Sequence, residues 1–338
     1  MEFAISFDLR APSFGSPARE LYSAALDQCA WADELGFDVV GIAEHHATED
    51  GYLPSPLVFA AAAAARTRRI ALRPSVLLAP LYDPVKLAED TAIVQILSGG
   101  RLRLGLGSGY RPAEFAMFGT RREDRKARTL RVIALLRKAW TGEAFEWEGR
   151  RVRVTPAPDP PPPILLGGSH PAVARRAAHV ADGYFPPQGE NWEIYRAECL
   201  AIGKPDPGEG LHLGPVFVHV TRDPEAAWQR LRPHVEHVTA SYAAWTREAY
   251  GRAAGPFAKG VCLDDVKQSG AYRVVTPEQA IALADELGPN GVYHFTPLLG
   301  GLDPEFAWQS LRLFEREVWP EIRPRPGLAR EPGRRARE

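Results

Sequence analysis

A (β/α)8 barrel is the fold the sequence predicts, on three observations. Apolar, β-favouring runs alternate with segments of helical periodicity along nearly the whole chain. Eight such runs can be counted, and 338 residues leave length for the insertions such barrels carry. Helices open on recurrent start signals, Asp83-Pro84, Asp223-Pro224, Thr276-Pro277 and Asp303-Pro304, in which the first residue caps free N–H groups and proline sacrifices no hydrogen bond. A doubly wound open sheet competes less well. Gly105-x-Gly-x-Gly109 leads into Tyr110-Arg111-Pro112 and not into the glycine-marked helix of a dinucleotide site. One barrel domain is expected over residues 1–322, with a loose Arg/Pro-rich tail over 323–338.

The first strand is read at Phe3 to Phe7 and the first helix at Arg19 to Leu35, where Leu21, Ala25 and Cys29 share a face at i, i+4 spacing. Gly36 turns the chain into a strand from Phe37 to Ala43. An Ala-rich helix follows from Pro56 to Thr67, then a third strand from Ile70 to Leu78 that must bend to accommodate Pro74. The helix after Asp83-Pro84 runs to Leu97 and stops at Ser98-Gly99-Gly100; strand four is Arg101 to Leu106. A helix from Asp124 to Trp140 precedes a hairpin around Glu148-Gly149 and a stiff proline run from Pro156 to Pro163. Strands five to eight are read at Ile164 to Leu166, Gly183 to Phe185, Leu211 to Val220 and Val292 to Phe295. Between Tyr250 and Ala271 periodicity lapses, and the chain is expected to make an excursion over the barrel mouth.

Composition excludes several classes of function. With 45% hydrophobic and 25% charged residues and a formal net charge of −1, nothing favours nucleic acid or an anionic membrane. The alanine run at Phe59 to Ala65 is too short to span a bilayer, and Met1 to Phe7 lacks the basic lead of a signal peptide, so a cytoplasmic protein is expected. Cys29, Cys199 and Cys262 are far apart and suit packing better than a disulfide or zinc site.

Chemistry is suggested where strand two stops. Glu44, His45 and His46 crowd its carboxyl end, the end at which α/β folds open their active sites, and form the candidate floor of a catalytic pocket. The competing reading is that Glu44 merely pairs with one histidine. Adjacent strand residues face opposite ways, which makes the His45-His46 spacing poor for zinc, and no metal is expected. Gly167-Gly168-Ser169-His170-Pro171 suits an anion cradle at a helix N-terminus, or equally a plain helix cap. Gly105, Gly107 and Gly109 allow close approach of a flat ligand to backbone; Tyr110 and Glu114 line the pocket by position. Trp228, Trp245 and Trp308 are read as core.

Taken together, Gly36-Phe37-Asp38, Glu44-His45-His46, Asp83-Pro84-Val85 with Glu89-Asp90, Ser98-Gly99-Gly100-Arg101, Gly105-x-Gly-x-Gly109, Phe115 to Gly119 and Thr276-Pro277-Glu278 resemble the bacterial luciferase-like flavin monooxygenases in order and over nearly the whole chain. The resemblance implies a barrel that takes reduced FMN from a separate flavin reductase and lets it react with O2 to a C4a-hydroperoxide. The small organic substrate would be of the aldehyde, ketone, sulfonate or heteroaromatic kind. It implies His45 as the active-site histidine with Glu44 and His46 beside it, Ser108, Gly109, Gly168 and Ser169 around the phosphate, a non-prolyl cis peptide at Ser75-Val76, and a homodimer packed through early barrel helices. The luciferase subunit carries arginine where this chain has Ser108, so phosphate binding is expected to be modest and weakly salt-dependent. Two alternatives share the barrel: hydride transfer with the deazaflavin F420, and a catalytically silent flavin-binding subunit.

Overall fold

In the computed structural model, residues 1–186, 188–253 and 263–323 are described. The elements are, in order, β1 (Glu2–Phe7), α1 (Ala18–Leu35), β2 (Val39–Ile42), α2 (Pro56–Arg66), β3 (Ala71–Pro74), β4 (Leu77–Leu78), α3 (Pro84–Leu97), β5 (Leu104–Gly107), α4 (Pro112–Met117), α5 (Arg125–Ala139), β6 (Phe145–Trp147) and β7 (Arg150–Val152). They continue with β8 (Ile164–Gly167), α6 (Pro171–Val180), β9 (Gly183–Phe185), α7 (Gly189–Ala201), β10 (His212–Leu213), β11 (Phe217–Val220), α8 (Pro224–Tyr250), α9 (Leu263–Ser269), β12 (Tyr272–Val275), α10 (Pro277–Leu287), β13 (Gly291–Phe295), α11 (Pro304–Glu317) and α12 (Trp319–Ile322).

The expected barrel is present as two parallel arcs, β10-β13-β1-β2-β3 and β4-β5-β8-β9. They meet where β3 gives way to β4 across Ser75-Val76, a cis peptide bond at the position the family resemblance implies. The third strand is therefore two short ones, with a single bridge from Leu72 to Leu102 carrying the seam. The seventh run also divides, because Gly214-Pro215 interrupts it. β10 pairs with β13 in the barrel, whereas β11 leaves to pair with β12, a strand the sequence reading did not contain. Around that pair Phe217, Trp228, Leu231, Leu263, Val266 and Tyr272 build a second apolar cluster. The start of the 250–271 excursion, Tyr250, lines a cleft at the barrel mouth, and its described end packs beside the barrel through α9. Its residues 254–262 lie outside the described residues, as does the tail from 324.

Strand alternation sorts the core. Phe3, Ile5 and Phe7 of β1 belong to the large cluster shared with the helices, while Ala4 packs with Val39 and Val292 in a small separate one. The next residues on that inner face are Ser6, Gly41, Arg73 and His294, which line a cavity. Barrels of this kind normally fill their centre with branched apolar side chains. Here small and polar residues leave it hollow.

His219, buried, and His294, enclosed in the hollow of the barrel, make the fold acid-sensitive. Burial, then Arg230, holds His219 down to about 3; burial, then Arg73, holds His294 down to about 4. Both stay neutral in the folded chain and protonate near pH 6.5 once unfolded. Their stabilising contribution is therefore present above that value and is lost as pH falls through the window from about 6.5 to 4, at about 1.4 kcal/mol per pH unit for each group. His219→Gln should lower the proton uptake on unfolding by about one in this window. Denaturation midpoints measured across it would test this, and an unchanged slope would remove His219 from the account.

Candidate active site

At the end of β2 the chain continues through Ala43 to Ala47, which adopts a left-handed φ of 51°. The two histidines face apart as expected. His45 turns into a cleft of about 380 Å³, while the His46 ring packs on Phe118 and does not line that cleft. Glu44 is fully engaged: Oε1 accepts from the Tyr82 hydroxyl at 2.8 Å and meets His46 Nε2 at 2.8 Å, and Oε2 accepts from the Leu78 amide at 2.6 Å. Glu44 thus ties the end of β2 to β4, and the pairing of Glu44 with one histidine is realised with His46. Both hold the loop in place around His45.

Glu114, from α4, sits behind His45 and is completely buried. Its Oε1 lies 2.6 Å from His45 Nδ1 and also accepts from the His46 amide at 3.1 Å. Arg111 stands 3.6 Å from the same oxygen and donates to the His46 carbonyl at 2.6 Å. A carboxylate at this distance assigns the imidazole proton to Nδ1 and leaves Nε2 as an acceptor. Burial lowers the pKa of His45, outweighing the pull of Glu114, so the ring is neutral at pH 7.

Aromatic rings enclose His45. Tyr52 and Trp245 have centroids 4.9 and 4.8 Å from it, and Tyr110 and Tyr242 lie slightly further out. The Tyr52 and Tyr242 hydroxyls are 2.9 Å apart. Behind them Arg10, wholly buried, has its guanidinium carbon 4.6 Å from the Tyr52 centroid and 4.8 Å from that of Trp245, and pairs with Asp50 at 3.0 Å. Burial would raise the Asp50 carboxyl, but His237 at 2.7 Å and Arg10 hold it below the usual carboxylate range. Trp245 packs against the core, as it was read, and from there backs the His45 ring without lining the cleft; Tyr242 and Tyr250 of the same helix do line it, because the length of α8 brings its last turns back to the barrel mouth.

The opposite end of the cleft is built from strand termini. Ser75, Val76, Leu78, Gly107, Ser108, Gly109, Gly167, Gly168 and Ser169 all line it. The glycines have a packing reason: a Cβ on Gly107 would fall 2.3 Å from Val76 Cγ2, and one on Gly167 would fall 2.6 Å from Val76 Cγ1. Of the two readings left open for the Gly168-Ser169 turn, the cap belongs to His170, whose Nδ1 accepts from the Ala172 amide at 3.1 Å. Ser169 is left facing the cleft. Arg125, the first residue of α5, lines the same space, so a cation stands near this end despite serine at position 108. This revises the expectation of an uncharged cradle. Of the predicted residues, Glu44, His45, Ser75, Val76, Ser108, Gly109, Tyr110, Gly168 and Ser169 are brought to one cleft, with Glu114 and His46 behind its wall. Arg125, Tyr52, Tyr242 and Tyr250 were not foreseen.

Comparison with known proteins agrees with this architecture. Residues 1–284 match the family described as luciferase-like monooxygenase. A curated relative, an F420-dependent glucose-6-phosphate dehydrogenase of Amycolatopsis mediterranei, is 32% identical over 185 residues, 51% of this chain and 56% of its own; the chain thus spans little more than half of that relative's length. Among solved structures, the monooxygenase RslO1 from Streptomyces bottropensis superposes with a TM-score of 0.72 at 26% identity, over 95% of this chain and 99% of that one. The oxygenating constituent of 3,6-diketocamphane monooxygenase from a Pseudomonas putida plasmid, solved with FMN, gives 0.72 at 21% identity over 95% and 98%, a likeness of fold. The chain belongs to the luciferase-like monooxygenase family. Among the described residues no helix is long and apolar enough to cross a membrane, and no group of three His, Cys, Asp or Glu side chains is placed to hold a metal ion.

Proposed function

We propose that the chain is a flavin-dependent monooxygenase that binds reduced FMN in the His45 cleft and uses O2 on a small organic substrate. One observation carries the reading: a single cleft joins an anion-accepting end, with Ser108, Ser169 and Arg125, to a neutral imidazole walled by aromatic rings. That suits a flat cofactor with one phosphate. The residues fit it, since Gly107 and Gly167 make room for Val76 in the cleft wall, and aromatic and aliphatic side chains line the rest between His45 and the Arg125 end. Reduced FMN supplies two electrons to O2 when bound. The protein's part is to hold the phosphate through Arg125 and the serine hydroxyls, to exclude water with Tyr52, Tyr242 and Tyr250, and to hold or accept a proton at His45 Nε2.

Hydride transfer with F420 is the second reading, favoured by the name of the Amycolatopsis relative. Deazaflavin does not activate O2, so a cofactor screen under anaerobic, reducing conditions followed by admission of air separates the two. FMN binding with substrate-dependent oxygen uptake supports the first; F420 turnover without oxygen uptake overturns it. A silent subunit is disfavoured by the intact His45-Glu114 pair.

The same reading assigns the enzyme to the cytoplasm beside a separate flavin reductase, and to a homodimer. The adjacent helices α2 and α3 leave Val58, Ile93, Ile96 and Leu97 exposed, which supports a covered face there. Val58→Glu combined with Ile96→Glu should give a monomer in sedimentation at micromolar concentration. A wild type that already sediments as a monomer would refute the dimer.

A further inference from the structure

The hollow of the barrel holds a second cavity, of about 420 Å³, which meets the flavin cleft at Ala43, Tyr52, Ser75 and Tyr242, residues that line both. Its upper walls include Phe185, Val216, Val238 and Leu299. Polar groups converge on its floor. Register places Ser6 and Arg73 level with each other on either side of Gly41, and His294 Nε2 reaches Ser6 Oγ at 2.7 Å.

Arg73 is the anomaly. Its guanidinium carbon lies 4.9 Å from the centroid of Phe185, its Nε is buried without a hydrogen-bond partner, and its ion pair with Glu2 is long, at 3.5 Å. Beneath it Ala4, Val39 and Val292 form an apolar layer, beside which Arg73 also reaches a pocket at the other end of the barrel shared with Glu2. The acidic group at the other end of the cavity, Asp8, is already matched by Arg10. His294 is neutral and adds no charge. A guanidinium above an apolar layer, with one weak partner, is poorly compensated. A barrel that needed only a plug would fill this position with a branched apolar side chain.

We propose that this cavity is the substrate site, and that it selects small amphipathic monoanions: an apolar body along Phe185, Val216, Val238 and Leu299, and a carboxylate-type head on Arg73 and Ser6. The Arg fork suits a planar two-oxygen head, with the Ser6 hydroxyl as a further donor. The inference rests on the flavin reading of the adjoining cleft, because a substrate must abut the cofactor.

The test uses the full chain and a matched probe series, hexanoate, hexane-1-sulfonate, hexan-1-ol and hexylamine, titrated calorimetrically into flavin-free and FMN-loaded protein. Hexanoate should bind best, the sulfonate next, the alcohol weakly and the amine not at all. Arg73→Gln should weaken hexanoate by roughly tenfold to a hundredfold and leave the alcohol unchanged, while Arg73→Lys, which keeps the charge but loses the fork, should recover only part of the affinity and lose the preference for carboxylate over sulfonate. FMN affinity should be the same in all three proteins, which also shows that the variants fold. Equal binding of hexanoate and hexan-1-ol, absence of hexanoate binding, or hexanoate binding indifferent to Arg73→Gln would overturn the proposal. Failure of FMN to bind wild type would strike the flavin reading instead, since the flavin-free titration reports on the cavity by itself.

Discussion

Replacing His45 with alanine is expected to lower turnover by roughly a hundredfold to ten-thousandfold while changing FMN affinity only slightly. His45 is the imidazole that faces the cleft; its proton is held on Nδ1 by Glu114 at 2.6 Å, which leaves Nε2 to act on the reacting groups. His46 carries the same functional group, but its Nε2 is occupied by Glu44. His46→Ala should therefore act through loop position, raising KM and lowering stability more than it lowers kcat. Glu114→Gln keeps the shape and a hydrogen bond but removes the charge that favours the imidazolium. The pKa of His45, already lowered by burial, should fall further, and the acid limb of the rate profile should move to lower pH. Turnover, flavin affinity and pH profile for the three variants decide the matter; wild-type turnover in His45→Ala would remove the residue from the mechanism.

What the sequence disclosed, and what it withheld, divides along the range of the interactions involved. Local rules located most elements closely. The helix after Asp83-Pro84 ends at Leu97 as read, the Thr276-Pro277 start signal is completed by a capping box with Gln279, and Glu148 and Gly149 both take the positive φ of a two-residue hairpin turn. His45 and His46 lie past the end of β2, in the loop after it, yet still face apart, one into the cleft and one onto Glu44 and Phe118. Non-local facts were not legible. Tyr242 and Trp245 lie almost two hundred residues beyond His45 in sequence and reach it only because α8 is long enough to return to the barrel mouth. The division of the seventh run into β10 and β11 depends on β12, a four-residue strand at Tyr272–Val275 that the sequence reading did not identify. Arg125 did leave a trace. Arg125, Lys126 and Arg128 stand in the first turn of α5, where the helix dipole disfavours cations, behind Glu123 and Asp124, so Arg125 was legible as a cation at that helix start but not as part of the cleft.

Arg125 also changes the form of the second large effect, the response of FMN binding to charge at the phosphate end. Ser169→Asp sets a carboxylate in the turn that faces the cleft; at about 4 Å and an effective dielectric near 20, repulsion from the phosphate costs on the order of 4 kcal/mol per unit charge, enough to abolish binding at ordinary flavin concentrations. Riboflavin, which lacks the phosphate, should bind the variant about as well as it binds wild type. Arg125→Ala should weaken FMN by roughly tenfold to a hundredfold, the loss of one charge-assisted contact, and again spare riboflavin. The two substitutions should also differ in salt. Wild-type affinity is expected to decline moderately with ionic strength because a full charge is paired, and that decline should flatten in Arg125→Ala, leaving the hydroxyls of Ser108 and Ser169 and the α6 amides, which are insensitive to screening. Fluorescence titration of both flavins across a salt series separates these outcomes. If Ser169→Asp binds FMN as tightly as wild type, the phosphate lies elsewhere, and the Gly168-Ser169 turn is only the approach to a helix that His170 caps.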